Sequence, residues 1–192
     1  MKGSRGTRGQ MRKETLNISA QKDEKLDKAY GDLMNRMFKD GMAPKDAMGI
    51  NNNVLESVYA QAYRLYNTGK YIEATHLFRI LIMMNVSEPK YVLGLAACFH
   101  MMKEYKNAIQ TYTMCSAIDP NSPIPHYHSS DCFIQMKDYV SAMLCLQMAI
   151  DKAGNKPEYA KIKERAALSL ESLKQQKLPS VPVNMEEEAQ EL

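Results

Sequence analysis

The chain has few of the usual marks of export, membrane insertion or catalysis. No apolar run approaches the roughly 18 residues that a bilayer-spanning helix needs. The opening residues "MKGSRGTRGQMRK" also lack the apolar segment of a secretory signal. Together these absences point to a cytoplasmic protein that does not insert into membranes. Cysteine is scarce: Cys98, Cys115, Cys132 and Cys145 are the four in 192 residues, and none forms a C-x-x-C pair. They read as small apolar fillers of a reduced protein, not as disulfide or metal partners. The net charge of +3 is too small to argue for nucleic acid. Arg5, Arg8, Arg12 and Lys13 form a basic cluster, but no aromatic residue interleaves them to stack on bases.

Reactive groups do not converge either. The four histidines are His76, His100, His126 and His128, and the last two sit two residues apart, which on a helix sends them to different faces. "NTGK" lacks the G-x-x-x-x-G-K-[ST] spacing of a phosphate loop, and neither a G-x-S-x-G elbow nor a glycine-rich dinucleotide fingerprint occurs. No metal, cofactor or catalytic residue is assigned.

What the chain does have is a period. "NTGKYIEATHLF" at 67–78 returns as "MMKEYKNAIQTY" at 101–112 and as "QMKDYVSAMLCL" at 135–146. Tyr71, Tyr105 and Tyr139 share one column, and Ala74, Ala108 and Ala142 the next. Phe78, Tyr112 and Leu146 form a third, and Leu65, Phe99 and Phe133 a fourth. Pro89, Pro123 and Pro157 complete the set, again 34 residues apart. A 34-residue period with a small residue at its centre, a Tyr three before it and a large residue four after it is the tetratricopeptide pattern of stacked helix pairs. Alanine lets antiparallel helices approach, and a large apolar residue fills the adjoining groove. Proline suits the first turn of a helix, where a missing N–H costs nothing.

The expected fold is all-α: a superhelix of three helix pairs at 54–154, with an N-terminal helix at 22–41 and a capping helix at 157–176. Asn53 with Glu56 reads as a capping box opening the first repeat, and "APKDAMGINNN" as a connector. Residues 1–21, basic, and 177–192, acidic, lack the apolar surface to fold and read as disordered tails. The N-terminal helix carries Leu26, Tyr30, Leu33 and Met37 on one stripe, which needs cover from the repeats or from a second copy of the chain.

Stacked helix pairs curl, and the first helix of each pair lines the hollow. Positions facing the hollow are Tyr59, Tyr63 and Tyr66 in the first repeat, Leu93, Ala97 and His100 in the second, and Tyr127, Asp131 and Ile134 in the third. Val58, Ala62 and Leu65 already fill the core of the first helix, so the tyrosine stripe is free to bind. Tyrosine offers apolar area together with a hydroxyl for a peptide backbone. A basic, Asn-lined clamp for a chain-terminal carboxylate is excluded, because Tyr59, Tyr63, Gly94, Ile124 and His128 hold the corresponding places.

The order of parts, with "GMAPKDAMGI", "YAQAYRLYNTGKYIEATHLFRIL" and "YVLGLAACFHMMKEYKNAI", resembles the class II chaperones of bacterial type III secretion over residues 25–175. That resemblance implies a cytoplasmic bacterial protein, not an enzyme, that keeps hydrophobic translocators soluble and export-competent. It implies that the groove takes an extended, apolar, proline-containing segment of a secreted translocator or effector. It also implies a homodimer made through the N-terminal helix. The basic N-terminal extension and the acidic tail depart from the family pattern. Two other readings fit the repeats alone: an adaptor scaffolding a cytoplasmic complex, and a regulator acting through a nucleic-acid-binding partner.

Overall fold

A computed structural model describes residues 24–175. The expectations for the two tails fall outside this range. The described residues are helical with no strand among them, and they divide into two compact units that meet at Leu55 and Glu56.

The first unit contains helix α1, residues 24–38, and the one-turn helix α2, Pro44–Ala47. Gly41 takes a φ of +67°, a left-handed turn that L-residues resist, and Met42 N–H donates back to Arg36 O at 3.1 Å. The stretch read as a plain connector therefore folds in part: Pro44 opens α2, and Arg36 Nη1 donates to the carbonyl of buried Ala47 at 3.3 Å. Along α1, Leu33 and Met37 are half-buried, whereas Leu26 is 66% exposed and Tyr30 62% exposed.

Helix α3, Asn52–Asn67, begins earlier than the sequence suggested. Its cap is Asn51, whose Oδ1 accepts from Asn53 N–H at 3.0 Å, so Asn53 lies inside the helix. Glu56 has a different partner, an ion pair with Lys90 Nζ at 2.6 Å.

From Glu56 onward the second unit stacks α4 (Tyr71–Met84), α5 (Pro89–Met101), α6 (Tyr105–Ile118), α7 (Ile124–Gln135) and α8 (Tyr139–Ala153). A 3₁₀ turn, Pro157–Tyr159, leads into α9, Ala160–Gln175. Consecutive helices from α4 to α9 pack on one another. Ala74, Ala108 and Ala142 are fully buried, as are Phe78, Tyr112 and Leu146, so the columns read from the period are the packing layers. A further layer, Ala62, Ala96 and Ser130, is equally buried. Ser130 meets the cost of a buried hydroxyl by donating to Tyr127 O at 2.6 Å.

The prolines are less uniform than their column. Pro89 occupies the first turn of α5, Pro123 caps α7 from outside, and Pro157 opens the 3₁₀ turn. Helix α9 closes the stack by burying Ala166, Leu170 and Leu173 against Ala142, Leu146 and Ala149. Lys163 reaches back from it to donate to Gly154 O at 2.6 Å, satisfying a carbonyl just past the end of α8.

Candidate functional site

A hollow of about 350 Å³ lies in the second unit, walled by the first helices of successive pairs. Its first wall is the tyrosine stripe of α3. The i, i+4, i+7 spacing sets the three rings one above another: Tyr59 and Tyr63 have centroids 6.4 Å apart and planes 21° apart, and Tyr63 and Tyr66 are 6.3 Å and 24° apart. Tyr66 then meets Tyr71 edge-on at 5.6 Å. Tyr59 does the same with Phe78 at 6.1 Å and lies 5.8 Å from Tyr91. Such aromatic pairs each contribute about 0.5–1.5 kcal/mol beyond the area they bury. Tyr63 is 52% exposed, the outermost rung of this ladder.

The second wall is α5, with Leu93, Gly94, Ala97, His100 and Met101 on the hollow. Gly94 is there for space: a Cβ built on it would land on the edge of the Phe78 ring, with Cδ1 at 2.9 Å. Lys90 stands at the N-terminal end of the same helix, its ammonium 5.0 Å from the Tyr59 ring centroid and 5.5 Å from that of Tyr91. Beyond α5, Tyr112 supplies the floor. His128 of α7 lies nearly parallel to the Tyr112 ring at 5.7 Å, while His100 meets it at 90° and 6.4 Å.

Burial tunes the polar groups of the hollow. It raises the Tyr59 and Tyr66 phenols above their ordinary range, with nearby Lys90 only partly opposing the shift at Tyr59, so both hydroxyls remain neutral donors. Burial, then the neighbouring His100, pushes His128 down to about 4, and the imidazole is neutral at pH 7. Asp131, whose Oδ2 lies 3.9 Å from His128 Nδ1, is raised by burial, with His100 and Arg165 partly offsetting this. The walls are thus apolar and aromatic with neutral hydroxyls, and one ammonium stands at an end. Such a surface can hold an extended chain by its side chains and backbone. Among the described residues no group of three His, Cys, Asp or Glu side chains could hold a metal ion.

Six of the nine residues placed on the hollow by repeat position line it: Tyr59, Tyr63, Tyr66, Leu93, Ala97 and His100. Tyr127 and Ile134 do not, because α9 completes a core next to them and they pack, partly buried, against that cluster of α8 and α9 residues instead. Asp131 stands beside the hollow through His128, and is not part of its lining. Six contributors escape repeat-position counting, two of them, Lys90 and Met101, at the ends of α5. Phe78 and Tyr112 sit in a core column, yet each shows one ring edge to the hollow. His128 is offset by one residue from the expected position. Gly94 carried the one readable signal, an isolated glycine in the apolar run "YVLGLAAC".

Comparison with known proteins bears on what such a hollow is for. The tetratricopeptide repeat family matches residues 55–84 and 89–121. "Low calcium response locus protein H" of Yersinia pseudotuberculosis is 30% identical over 128 residues, covering 67% of this chain and 76% of that protein. The Yersinia enterocolitica type III secretion chaperone SycD, solved in complex with a peptide of the translocator YopD, is 30% identical with a TM-score of 0.62, covering 65% of this chain and 95% of that one. A second structure of SycD, described as an alternative dimer of the translocator chaperone, gives 30% identity and a TM-score of 0.63 over the same shares. With 30% identity over two thirds of its length and the fold shared with these chaperones, the chain belongs to the type III secretion translocator chaperones.

Proposed function

We propose that this chaperone holds a secreted translocator by an extended apolar segment laid along the hollow between α3 and α5, keeping the client soluble and export-competent, and that it does so by binding alone. The observation that carries this reading is the ladder of Tyr59, Tyr63 and Tyr66, which presents aromatic area that the packing layers do not require. Aromatic-lined grooves favour extended, proline-bearing segments, whose backbone is already ordered before binding. The neutral hydroxyls and the Lys90 ammonium would pair with backbone carbonyls that such a segment cannot satisfy itself. The YopD peptide on SycD supports the client class.

The test is titration calorimetry of the full chain with overlapping peptides from the translocators of its own secretion system. One or two windows bind, and Tyr63→Ala and Leu93→Ala weaken them. Binding indifferent to both substitutions would place the client elsewhere.

On the first unit, Leu26, Tyr30 and Phe38 are exposed apolar side chains of α1. We propose that a second copy of the chain covers them, with Leu33 and Met37 at the base. Sedimentation equilibrium of the full chain carrying Leu26→Ser and Tyr30→Ser would give the monomer mass where wild type gives a dimer. An unchanged mass refutes the assignment.

A further inference from the structure

The chain continues past the end of α9 at Gln175 with "QKLPSVPVNMEEEAQEL", residues 176–192. We propose that Val181, Val183 and Met185 of this segment lie across an exposed apolar stripe on the outer side of α8, formed by Val140, Leu144 and Met148. None of these three α8 residues lines the hollow, so the proposal does not depend on what the hollow binds.

The stripe departs from the repeat. Val140, Leu144 and Met148 are exposed and stand on the side of α8 opposite the buried Ala142, Leu146, Ala149 and Ala153. At 34-residue spacing the equivalent positions hold Lys106, Gln110 and Met114 on α6, and Ile72, His76 and Ile80 on α4. Among these three columns only the one on α8 is apolar throughout. The exposed side of α9 offers no comparable strip, since its Leu168 stands among Glu164, Arg165 and Glu171.

The segment leaves α9 at the matching end of α8. The two helices pack on one another across the short connection 154–159, so they run antiparallel. Lys163, in the first turn of α9, donates to Gly154 O just past the end of α8. At the other end Leu170 and Leu173 share one buried cluster with Ala142 and Leu146. With 16 residues in α9 and 15 in α8, Gln175 comes out level with Tyr139 and Val140, where the stripe begins.

Reach and register both fit. To arrive on the outer side of α8 the chain crosses one helix spacing, about 8–10 Å, and about 5–6 Å more, half the diameter of a helix with its side chains. The six residues from Gln175 to Val181 span about 19 Å at about 3.1 Å each, which is enough. Pro182 holds Val181 extended and has no N–H for a helix surface to leave unpaired. In an extended chain, side chains two apart share one side and lie about 6.6 Å apart, while residues four apart on a helix lie about 6 Å apart. Val181, Val183 and Met185 therefore fall beside Val140, Leu144 and Met148 in that order. One more step of the same register sets Glu187 beside Lys152, in the last turn of α8. Asp151, the acid next to that lysine, already accepts from Gln147 Nε2 at 2.9 Å. A tethered segment acts at a high effective concentration, so three apolar contacts and one ion pair suffice to keep the stripe covered in the free chaperone.

The experiment uses the full chain with p-benzoylphenylalanine in place of Val183, irradiated and mapped by mass spectrometry. Cross-links are expected within one chain, to Leu144 and its neighbours on α8, in a yield that does not change on dilution. Leu144→Ser is expected to lower that yield several-fold. A second measurement needs no label. Met148 should be oxidised by dilute peroxide at least about threefold faster in a chain carrying Val181→Ser, Val183→Ser and Met185→Ser than in wild type, while Met83, exposed on α4, reacts equally in both. Cross-links to Met101 and the hollow instead of α8, cross-links only between chains, a yield indifferent to Leu144→Ser, or equal Met148 oxidation in the two chains would each overturn the proposal.

Discussion

Replacing Gly94 by alanine sets two known effects against each other. In the interior of α5, glycine is about 1 kcal/mol less favourable than alanine, so propensity alone predicts a more stable protein. The added Cβ, however, would coincide with the edge of the Phe78 ring, with Cδ1 at 2.9 Å. Phe78 is 1% exposed and held edge-on by Tyr59 at 6.1 Å, so its open side is the hollow. Overpacking of this kind costs about 1–3 kcal/mol where a ring must leave its well, and an overlap with ring carbons belongs at the upper end. The net expectation is a loss of about 1–2 kcal/mol, or about 2–8 °C in Tm for a chain of this length. Urea denaturation of the full chain measures the loss. Calorimetry with a translocator peptide should show weaker binding, because the displaced ring enters the space the client needs. Phe78→Leu in the same chain should recover part of both losses, giving a coupling of at least about 1 kcal/mol in a double-mutant cycle. A Gly94→Ala chain more stable than wild type, or a coupling near zero, would refute the claim that this glycine is held for the close approach of Phe78.

Tyr63 and Tyr59 should differ in what they cost folding. Tyr63→Ala lowers translocator-peptide affinity by about 1–3 kcal/mol and stability in thermal melts by about 1 kcal/mol through its two exposed ring pairs, whereas Tyr59→Ala, which also removes contacts to Phe78 and Tyr91, lowers stability more. Lys137 sits at a φ of +62°. Lys137→Gly should therefore stabilise by about 0.5–1 kcal/mol in urea melts, and a loss would show that its side chain does more than turn the chain. His128 is held down at about 4 when folded against an ordinary 6.5, so between those values the unfolded chain takes up a proton that the folded chain refuses. Stability from this group is complete above about pH 6.5 and falls as the pH drops toward 4. Its side chain is 40% exposed, so solvent blunts the effect. Melts of His128→Gln and wild type at pH 7 and pH 4.5 check this, since the variant should lose less between the two.

The repeat columns were legible because close packing imposes one residue size per layer, and size survives in a sequence. Ala74, Ala108 and Ala142 could be read directly, and all three are fully buried. The turn column was only half legible. Gly69, Lys103 and Lys137 lie 34 residues apart and all take positive φ, at 77°, 62° and 62°, but only the glycine declares it. The lysines tolerate the strain because the helix on each side fixes the turn: Lys103 N–H donates to His100 O at 2.9 Å, and Lys137 N–H to Ile134 O at 3.0 Å. The cap of α3 was misread for the opposite reason. "INNNV" offers three asparagines in a row, and sequence alone cannot say which one leaves the helix. On the hollow, position within the repeat found the tyrosines but assigned Tyr127 and Ile134 by periodicity, which does not register that the stack ends two helices later, at α9.

The hollow exists because one packing rule is satisfied differently at successive repeats. A large residue on the second helix of each pair points at the residue 16 positions later, on the first helix of the next pair. At the first junction these are Phe78 and Gly94, at the second Tyr112 and His128. With no side chain opposite it, the Phe78 ring advances and leaves open space in front of the tyrosine ladder. With an imidazole stacked on it at 5.7 Å, Tyr112 is covered on one face and the space narrows. Past that point Tyr127 and Ile134 turn into the core under α9. The binding surface is therefore graded: open and aromatic between α3 and α5, narrowed by His128 at α7, and absent beyond it. A short segment, not a long one, is what such a hollow can take. The grading follows from the glycine at 94 and the histidine at the equivalent position 128, together with the core that α9 supplies beyond them.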